Sequence, residues 1–435
     1  MQETIVTVNE QQLENALITA PVQAQERMEI LDIIRGVALL GILLVHMPVM
    51  FGTPFIYSTV LGINMWTNAW DTIATGFVGI FVQGKFYTMF SFLFGLGFVI
   101  FYERAKARSS KPTRLFMTRL VILLVIGLLH AFFIWFGDVL TAYALFGFLL
   151  PIFFNRKPKT LIIWVIVFFA IFLSLFALVV GVMALLYATM DEAALAAMMQ
   201  PMVDMMQSGL KNSLYAYGEG SFAAIMAQRM ADVRLNFSQL WIMFFLIFPL
   251  FLLGVWAGTK KIFQNIEHYL PFIKKAWMWG LIIGLPMSIL KFYAFNQMDH
   301  LTMNFFNFLF YAAGIFADTG MAIFYMASIV LLFQRQNWVP KLKPFGYVGR
   351  MALSNYLLQS IIGTMIFYSY GLGLYGQIAP ALGMALALVI FAIQIIISKW
   401  WLSRYQFGPV EWVWKSLTYN RRFKSCLTAN DISKI

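Results

Sequence analysis

Charge is the scarcest property of this chain, since only 11% of its 435 residues are Asp, Glu, Lys or Arg. A soluble domain carries about a quarter charged residues, so a surface that faces water along its whole length is excluded. Hydrophobic residues make up 61% of the chain, and the mean hydropathy is +0.77. Apolar runs of about 20 residues, long enough to cross a bilayer, recur along nearly the whole length. The sequence therefore predicts an all-α, polytopic transmembrane helix bundle.

Cysteine is nearly absent, and the patterns of metal and nucleotide sites are missing. The single cysteine, Cys426, excludes an intramolecular disulfide. No group of His, Cys, Asp and Glu has metal-ligand spacing, so we expect no metal. Gly95 and Gly97 lie inside an apolar segment without a preceding strand, which excludes a phosphate-binding loop and indicates close helix packing. The net charge of +12 resides in short loops, where it determines membrane topology, so we expect no nucleic-acid partner.

Ten apolar segments predict the spanning helices. They are residues 30–50, 84–105, 114–135, 137–154, 159–188, 239–259, 272–295, 304–333, 350–371 and 377–402. Residues 68–82 are short and contain Asp71, which predicts an interfacial or re-entrant segment. Loops rich and poor in Lys and Arg alternate from residue 103 onward, so the positive-inside rule places both termini in the cytoplasm. An eleventh span over 68–82 would place the amino terminus outside.

The polar segments divide the chain into three regions. Residues 1–29 are rich in Gln and Glu and lack an apolar signal-peptide core, which predicts a cytoplasmic arm. Residues 30–402 form the transmembrane bundle and include an external segment, 189–238, with one or two short helices interrupted at Pro201. This segment is either a packed lid or a cover for an acceptor pocket. Residues 403–435 combine Trp, Tyr and basic residues, as in an interfacial anchor on the cytoplasmic side.

The first spanning segment carries an arginine and a histidine in the stretch RGVALLGILLVHM. Arg35 and His46 are eleven residues apart, so they share one helix face about 16 Å apart along the axis. With the amino terminus inside, Arg35 lies near the cytoplasmic boundary and His46 lies deeper. Ionisable residues within the membrane are expensive and are therefore functional candidates. The alternatives are a snorkelling topology anchor for Arg35 and a neutral imidazole bonded to a neighbouring helix for His46.

A second histidine has a carboxylate nearby in sequence. Arg119 and His130 repeat the eleven-residue spacing, and Asp138 follows a turn at Gly137. The turn allows Asp138 to face back toward His130. A carboxylate that fixes the tautomer of a histidine and raises its basicity is a general-base arrangement. The alternative is a turn-capping aspartate beside an interfacial histidine.

A third polar group lies in the stretch GRMALSNYLLQS, on the first turns of a predicted span. Arg350, Ser354, Asn355 and Gln359 form a polar stripe at the cytoplasmic side. One interpretation is a pocket for the phosphate and amide groups of a donor, to which Arg35 adds charge. The other is a set of hydrogen bonds that stitch helices together, each contributing about 0.6 kcal/mol.

Five motifs together resemble YeiB-like bacterial integral membrane proteins, over nearly the whole chain after residue 27. In order they are LDIIRGVALLGILLVHM, GKFYTMFSFLFGLGF, GLLHAFFIWFGDVLTAYALFG, GRMALSNYLLQS and FGPVEWVWKSLTY. That family is grouped with the transmembrane acyltransferase superfamily. The resemblance implies acyl transfer in the bacterial cytoplasmic membrane, from acyl-coenzyme A on the inside to a glycan, lipid or envelope polymer on the outside.

The same resemblance bears on the site residues. In the related O-acetyltransferases, an Arg followed by ten residues and a His on the first helix is important for activity, and Arg35 and His46 reproduce that pattern. His130 and Asp138 match the YeiB-like motif, whereas many YeiB-like proteins carry Asn where His46 stands. Both histidines are therefore candidate bases, and Ser354 and Asn355 are candidate oxyanion donors. The alternative function is a transporter or lipid flippase whose translocation path these polar residues line.

Overall fold

The chain folds into a bundle of helices. The computed structural model describes residues 28–108, 110–421 and 423. Within these residues there are sixteen α-helices and no β-strand. Most of the predicted cytoplasmic arm, residues 1–27, and the tail residue Cys426 lie outside the described part of the chain.

The helices are numbered in chain order. They are α1 (Glu29–Val45), α2 (Phe55–Val60), α3 (Ala69–Phe77), α4 (Lys85–Arg108), α5 (Pro112–Leu129), α6 (Leu140–Gly147), α7 (Pro158–Thr189), α8 (Glu192–Gly218), α9 (Phe222–Ser238), α10 (Leu240–Thr259), α11 (Ile266–Gln297), α12 (Phe305–Phe333), α13 (Val339–Arg350), α14 (Ala352–Phe367), α15 (Pro380–Leu402) and α16 (Pro409–Tyr419). Helices α1, α3 and α5 continue into π-helical turns at His46–Phe51, Val78–Val82 and His130–Ile134.

In the described part of the chain, eight helical stretches are long and apolar enough to cross a membrane. They are α1, the run from α3 into α4, α5, α7, α10, α11, α12 and α15, with α14 apolar but shorter. This confirms the predicted all-α, multi-pass bundle. The number of ten spans and the cytoplasmic position of both termini stay predictions.

One predicted span differs from the structure. Residues 137–154 are not one span, because α6 covers only Leu140–Gly147 and a short 3₁₀ turn, Leu150–Phe153, follows it. Pro151 within that turn lacks the N–H that a continuing α-helix needs. Residues 68–82 lead into α4 and form with it one 39-residue apolar stretch, and their interfacial or re-entrant position stays a prediction.

The segment predicted to be external, residues 189–238, contains two long helices, α8 and α9. The prediction that Pro201 interrupts it was wrong, since Pro201 lies inside the 27-residue α8. Pro201 is exposed, so the carbonyl that loses its helical partner can be hydrated, and the turns on either side hold the helix.

Buried hydrogen bonds tie this pair of helices to α2. The hydroxyls of Tyr57 and Tyr217 each donate to Asp232 at 2.5 Å, and the Gln228 amide donates to the same carboxylate at 2.9 Å. Burial raises the pKa of Asp232 in opposition to these bonds. The placement favours a packed lid.

Close crossings at glycine hold the bundle together. A Cβ on Gly36 of α1 would clash with the Phe345 carbonyl of α13, and a Cβ on Gly349 would clash with the Asp32 carbonyl of α1. Gly95 of α4 meets the backbone of α10 in the same way, which confirms its predicted packing role. Gly97 has nothing within 4 Å of a Cβ position, so the same prediction for it was wrong. Small residues permit backbones to approach this closely.

Helix α7 is the most exposed of the long helices. It has 32 residues, of which a single stripe is buried: Leu161, Val165, Phe172, Phe176 and Val180. Its other faces carry large apolar side chains that no protein covers, including Leu178 and Leu185. These faces suit contact with lipid.

Candidate functional site

A buried histidine and aspartate form a hydrogen-bonded pair. The Nδ1 of His130 lies 2.8 Å from the Asp138 carboxylate, and the exposed fractions of their side chains are 1% and 0%. The second Asp138 oxygen accepts the Thr141 backbone N–H at 2.7 Å. Asp138 thus holds the Nδ1 edge of the imidazole with one oxygen and the first turn of α6 with the other. The Nε2 of His130 is buried and has no hydrogen-bond partner among the described residues.

Local sequence explains this pairing. The π-helical turn at His130–Ile134 ends α5, and the chain becomes extended at Trp135, which returns Asp138 toward the helix it has just left. Gly127 lies one turn before His130, where a Cβ would meet Thr141 and Asp138. Because glycine has no side chain, the Asp138 carboxylate can approach α5 at this position.

The two candidate histidines meet at Trp135. The centroid of the Trp135 ring lies 4.8 Å from that of His46 and 6.3 Å from that of His130. Trp135 is fully buried, and its indole N–H has no partner within the described part of the chain. The structure therefore brings the two candidate histidines together around Trp135, and their similar depth in the membrane stays a prediction.

One cavity of about 830 Å³ passes through this region. His46, Asp138 and Tyr356 line it, whereas His130 lies behind the lining. At the end where α1 begins and α4 ends, the wall is basic, with five cationic side chains: Arg35, Arg104, Arg119, Arg350 and Lys415. The cavity therefore connects a cationic end with the histidine site.

The glycine crossing of α1 and α13 explains why two of these arginines are neighbours. Gly36 and Gly349 form the crossing. Arg35 directly precedes Gly36 in the sequence, and Arg350 directly follows Gly349. Arg35 is held by Asp32, whose carboxylate lies 2.8 Å from its guanidinium. Asp32 is an acidic residue in the first turn of a predicted span and was missed by sequence reasoning.

Helix α16 closes the basic end. The Trp414 ring lies under the Arg119 guanidinium at 3.8 Å, and its indole N–H donates to the Arg119 carbonyl at 2.9 Å. A cation over an aromatic face is an attractive arrangement. The predicted interfacial tail thus packs against the bundle through a residue of the cavity wall.

The other three polar residues of the third motif bond to neighbouring helices. Ser354 donates to Glu411 of α16 at 2.5 Å, Asn355 donates to Ser398 of α15 at 3.0 Å, and Gln359 donates to Gln394 of α15 at 2.9 Å. None of the three lines the cavity. Their geometry favours the stitching interpretation over the donor-pocket one.

Sequence reasoning missed Tyr356, which lies within the same motif. Its ring is 5.3 Å from that of His130, and its hydroxyl donates to the Gly137 carbonyl at 3.4 Å. It lines the cavity beside Asp138. The sequence signal for a functional tyrosine was weak, because a tyrosine in an apolar helix is ordinarily interpreted as a packed core residue.

The arrangement has the parts of a proton-transfer site inside the bundle. An imidazole held by a carboxylate can accept a proton through its other nitrogen. The Tyr356 hydroxyl, which lines the cavity, is a donor that can stabilise a developing oxyanion.

Comparison with known proteins identifies relatives along nearly the whole chain. Residues 257–421 match the family described as "Protein of unknown function (DUF418)". The uncharacterised protein YxaH of Bacillus subtilis (strain 168) is 35% identical over 414 residues, covering 92% of this chain and 96% of that protein. The uncharacterised protein YeiB of Escherichia coli (strain K12) is 28% identical over 406 residues, covering 90% and 96%. No solved structure matches.

A third relative has the same extent. The uncharacterised 39.9 kDa protein in the amylase 3′ region of Bacillus acidopullulyticus is 28% identical over 417 residues, covering 93% of this chain and 97% of that protein. These full-length similarities agree with the resemblance that the five motifs carry. The chain belongs to the YeiB-like family of bacterial proteins.

Proposed function

We propose that the protein is a membrane-embedded acyltransferase of the bacterial cytoplasmic membrane. It transfers a short acyl group, such as acetyl, from cytoplasmic acyl-coenzyme A to an extracytoplasmic glycan, lipid or envelope polymer. The observation that carries this proposal is the single cavity that joins Arg35 and Arg350 to His46 and Asp138. A polyanionic donor and a general base require such a connection.

The basic end is the proposed donor site. Arginine is suited to phosphate because its planar guanidinium presents several donors in a fixed geometry. Arg35 and Arg350 hold the donor phosphates, and Arg119 adds charge to the same wall. Arg35 and His46 are about 16 Å apart along α1, a distance that the long flexible arm of coenzyme A spans. We leave Ser354, Asn355 and Gln359 out of this site because their side chains are engaged with other helices.

The proposed reaction needs one base and one oxyanion donor. The base takes the proton from the acceptor hydroxyl or amine, whose lone pair attacks the thioester carbonyl carbon. The tetrahedral intermediate then collapses, the carbon–sulfur bond breaks, and the same base returns the proton to the leaving thiolate. Tyr356 replaces Ser354 and Asn355 as the proposed oxyanion donor, since it lines the cavity at the histidine site.

The two histidines have different suitability for this role. His46 lines the cavity, so an acceptor that enters it reaches the imidazole directly. His130 has the carboxylate that makes a stronger base, but it lies behind the lining. We therefore propose His46 as the residue that contacts substrate, with the His130–Asp138 pair as the rival base or as its electrostatic support.

A transporter or lipid flippase is the second candidate. The π-helical turns at the ends of α1, α3 and α5 favour it, because interrupted helices are typical of transporter binding sites. A transporter would bind its cargo without consuming a thioester. Donor turnover therefore separates the two functions.

The test measures donor consumption by the purified full-length protein in lipid nanodiscs. Radiolabelled acetyl-coenzyme A is supplied, and release of coenzyme A and any acyl adduct are followed by chromatography. We expect turnover by wild type and a loss of about 10²-fold or more in the variant of the true base, His46→Gln or His130→Gln. Asp138→Asn should follow His130→Gln if that pair is the base.

The matched control is His268→Gln, because His268 is exposed on α11 outside the cavity. It should retain wild-type turnover. The Arg350→Gln variant should weaken donor binding more than it lowers the rate at saturation. Absence of binding and turnover with every short-chain acyl-coenzyme A would overturn the acyltransferase proposal.

A further inference from the structure

Two lysines and an aspartate are buried together in the apolar part of the bundle, at the opposite end of the cavity from the arginines. The Lys85 ammonium lies 3.3 Å from one oxygen of Asp318, and the Lys291 ammonium lies 2.7 Å from the other. All three side chains are less than 10% exposed. The close α11–α12 crossing, at Gly284 and Gly320, brings Lys291 and Asp318 together.

The cluster carries one positive charge in excess. Among the described residues, no second carboxylate lies within 4 Å of either lysine. An uncompensated charge in a low-dielectric environment is expensive, and charged groups inside membrane helices generally mark binding sites. The excess charge is thus a cost that a bound anion would offset.

Lys85 uses its donors within the fold. Its ammonium donates to the Gln83 carbonyl at 2.9 Å and the Gly79 carbonyl at 3.4 Å, and its contact with Asp318 is an ion pair. Gly79 lies in the π-helical turn after α3 and Gln83 directly follows that turn, before Gly84 with its φ of +92°. Lys85 thus holds this turn against α12 as a structural cap. Lys85 does not line the cavity.

Lys291 has donors to spare and faces the cavity. Asp318 is the hydrogen-bond acceptor of its ammonium, and the Phe310 ring lies 5.2 Å away. Lys291 lines the cavity together with Asp318, Phe310 and Tyr311. Of the two lysines only Lys291 lines the cavity, so a ligand in the cavity meets the excess charge of the cluster at Lys291.

We propose that Lys291 binds a phosphate-class anion at this end of the cavity. The aromatic and aliphatic wall around it suits a phosphate carried by an amphipathic molecule, such as a lipid headgroup. A lysine binds phosphate as a point charge with rotatable donors. This assignment goes beyond the proposed acyl transfer and does not require that either histidine act as a base.

The test measures binding of two phosphate probes to the full-length protein in a nonionic detergent. The probes are inorganic phosphate and dihexanoyl phosphatidylglycerol, with zwitterionic dihexanoyl phosphatidylcholine for comparison, each followed by equilibrium dialysis of ³²P label. We expect the anionic lipid to bind wild type and Lys291→Met to bind it at least about tenfold more weakly. Lys291→Arg should retain binding because it keeps the charge.

The matched control is Lys274→Met, since Lys274 lies on the same helix but is exposed. It should bind like wild type. Lys291→Met should fold, because Lys85 alone then balances Asp318, and its thermal midpoint checks this. Binding of the lipid without binding of inorganic phosphate identifies a headgroup site, and binding of both identifies a simpler phosphate site. The proposal fails if a folded Lys291→Met binds the anionic lipid like wild type, or if wild type binds neither anionic probe.

Discussion

At the scale of single residues, Glu411 holds the carboxyl-terminal helix against the bundle. Its carboxylate accepts the backbone N–H groups of Leu353 and Ser354 at 2.7 and 3.0 Å, and the Ser354 hydroxyl at 2.5 Å. The first turn of α14 leaves these N–H groups without helical partners, so a side chain from α16 supplies the cap. Burial raises the pKa of Glu411, although these hydrogen bonds lower it.

This pKa direction predicts a pH dependence of stability. A carboxyl group whose pKa is raised in the folded state adds stability at low pH and loses it as the pH rises through the folded pKa. We expect the difference in thermal midpoint between wild type and Glu411→Gln to shift in favour of wild type on acidification from neutral pH toward pH 5. Thermal unfolding of both proteins across this range measures it.

An exposed acid on the same bundle supplies the control for that series. Glu267→Gln removes a carboxylate in the first turn of α11 that is not buried, so its midpoint should follow wild type at every pH. A parallel pH profile for wild type and Glu411→Gln would contradict the prediction.

At the scale of elements, glycine contacts set the distance between helices. Gly36 of α1 faces the backbone of α13, whereas Gly97 of α4 faces the open cavity. Both are helical glycines, so they differ in what surrounds a Cβ and not in backbone conformation. Substitutions at these two glycines therefore distinguish the effect of helix packing on stability from the effect of helix propensity.

We expect Gly36→Ala to destabilise the protein by about 1–3 kcal/mol, because the added methyl forces α1 away from α13. Gly97→Ala should be neutral or stabilise by up to about 1 kcal/mol, since alanine favours a helix interior. Thermal unfolding in detergent measures both. Equal destabilisation by the two substitutions would show that the crossing is not the cause.

Elements also show what the sequence determines locally. The contact between His130 and Asp138 was predictable because only eight residues and one glycine turn separate them. The break within 137–154 was missed, because the segment is apolar enough overall to predict a span and the effect of Pro151 on helix continuity was not weighed. The hydrogen-bond partners of Ser354, Asn355 and Gln359 could not be predicted either, since a polar stripe does not indicate which helix lies beside it.

At the scale of the whole molecule, contacts between residues that lie far apart in the sequence cannot be predicted from one sequence alone. Lys291 and Asp318 both lie within predicted spans, and their charge was a signal that sequence reasoning missed. Their contact with each other, and with Lys85 more than 200 positions earlier in the sequence, depends on how three helices cross. The bundle itself follows from composition, because a chain this apolar has few other ways to satisfy its backbone.

The predicted topology is testable with the single native cysteine. Cys426 should react with a membrane-impermeant maleimide only after the cells are permeabilised, since the carboxyl terminus is predicted to be cytoplasmic. In a Cys426→Ser background, Met205→Cys should react in intact spheroplasts, because Met205 is exposed on α8. Labelling is read from the purified protein. Reaction of Cys426 in intact spheroplasts would reverse the topology.

The exposed helix α7 makes the molecule sensitive to bilayer thickness. Its apolar stretch from Leu161 to Leu186 is about 39 Å long, whereas a typical hydrocarbon core is about 30 Å thick. Full immersion requires a tilt of about 40°, at the upper end of the range for membrane helices. A thicker membrane lets α7 stand more upright and lifts the start of α8, which follows it after two residues. Helix α9 follows α8 and donates from Arg229 to the Phe133 carbonyl, within the π-helical turn that begins at His130. We therefore expect a change in membrane thickness to be transmitted toward the histidine site.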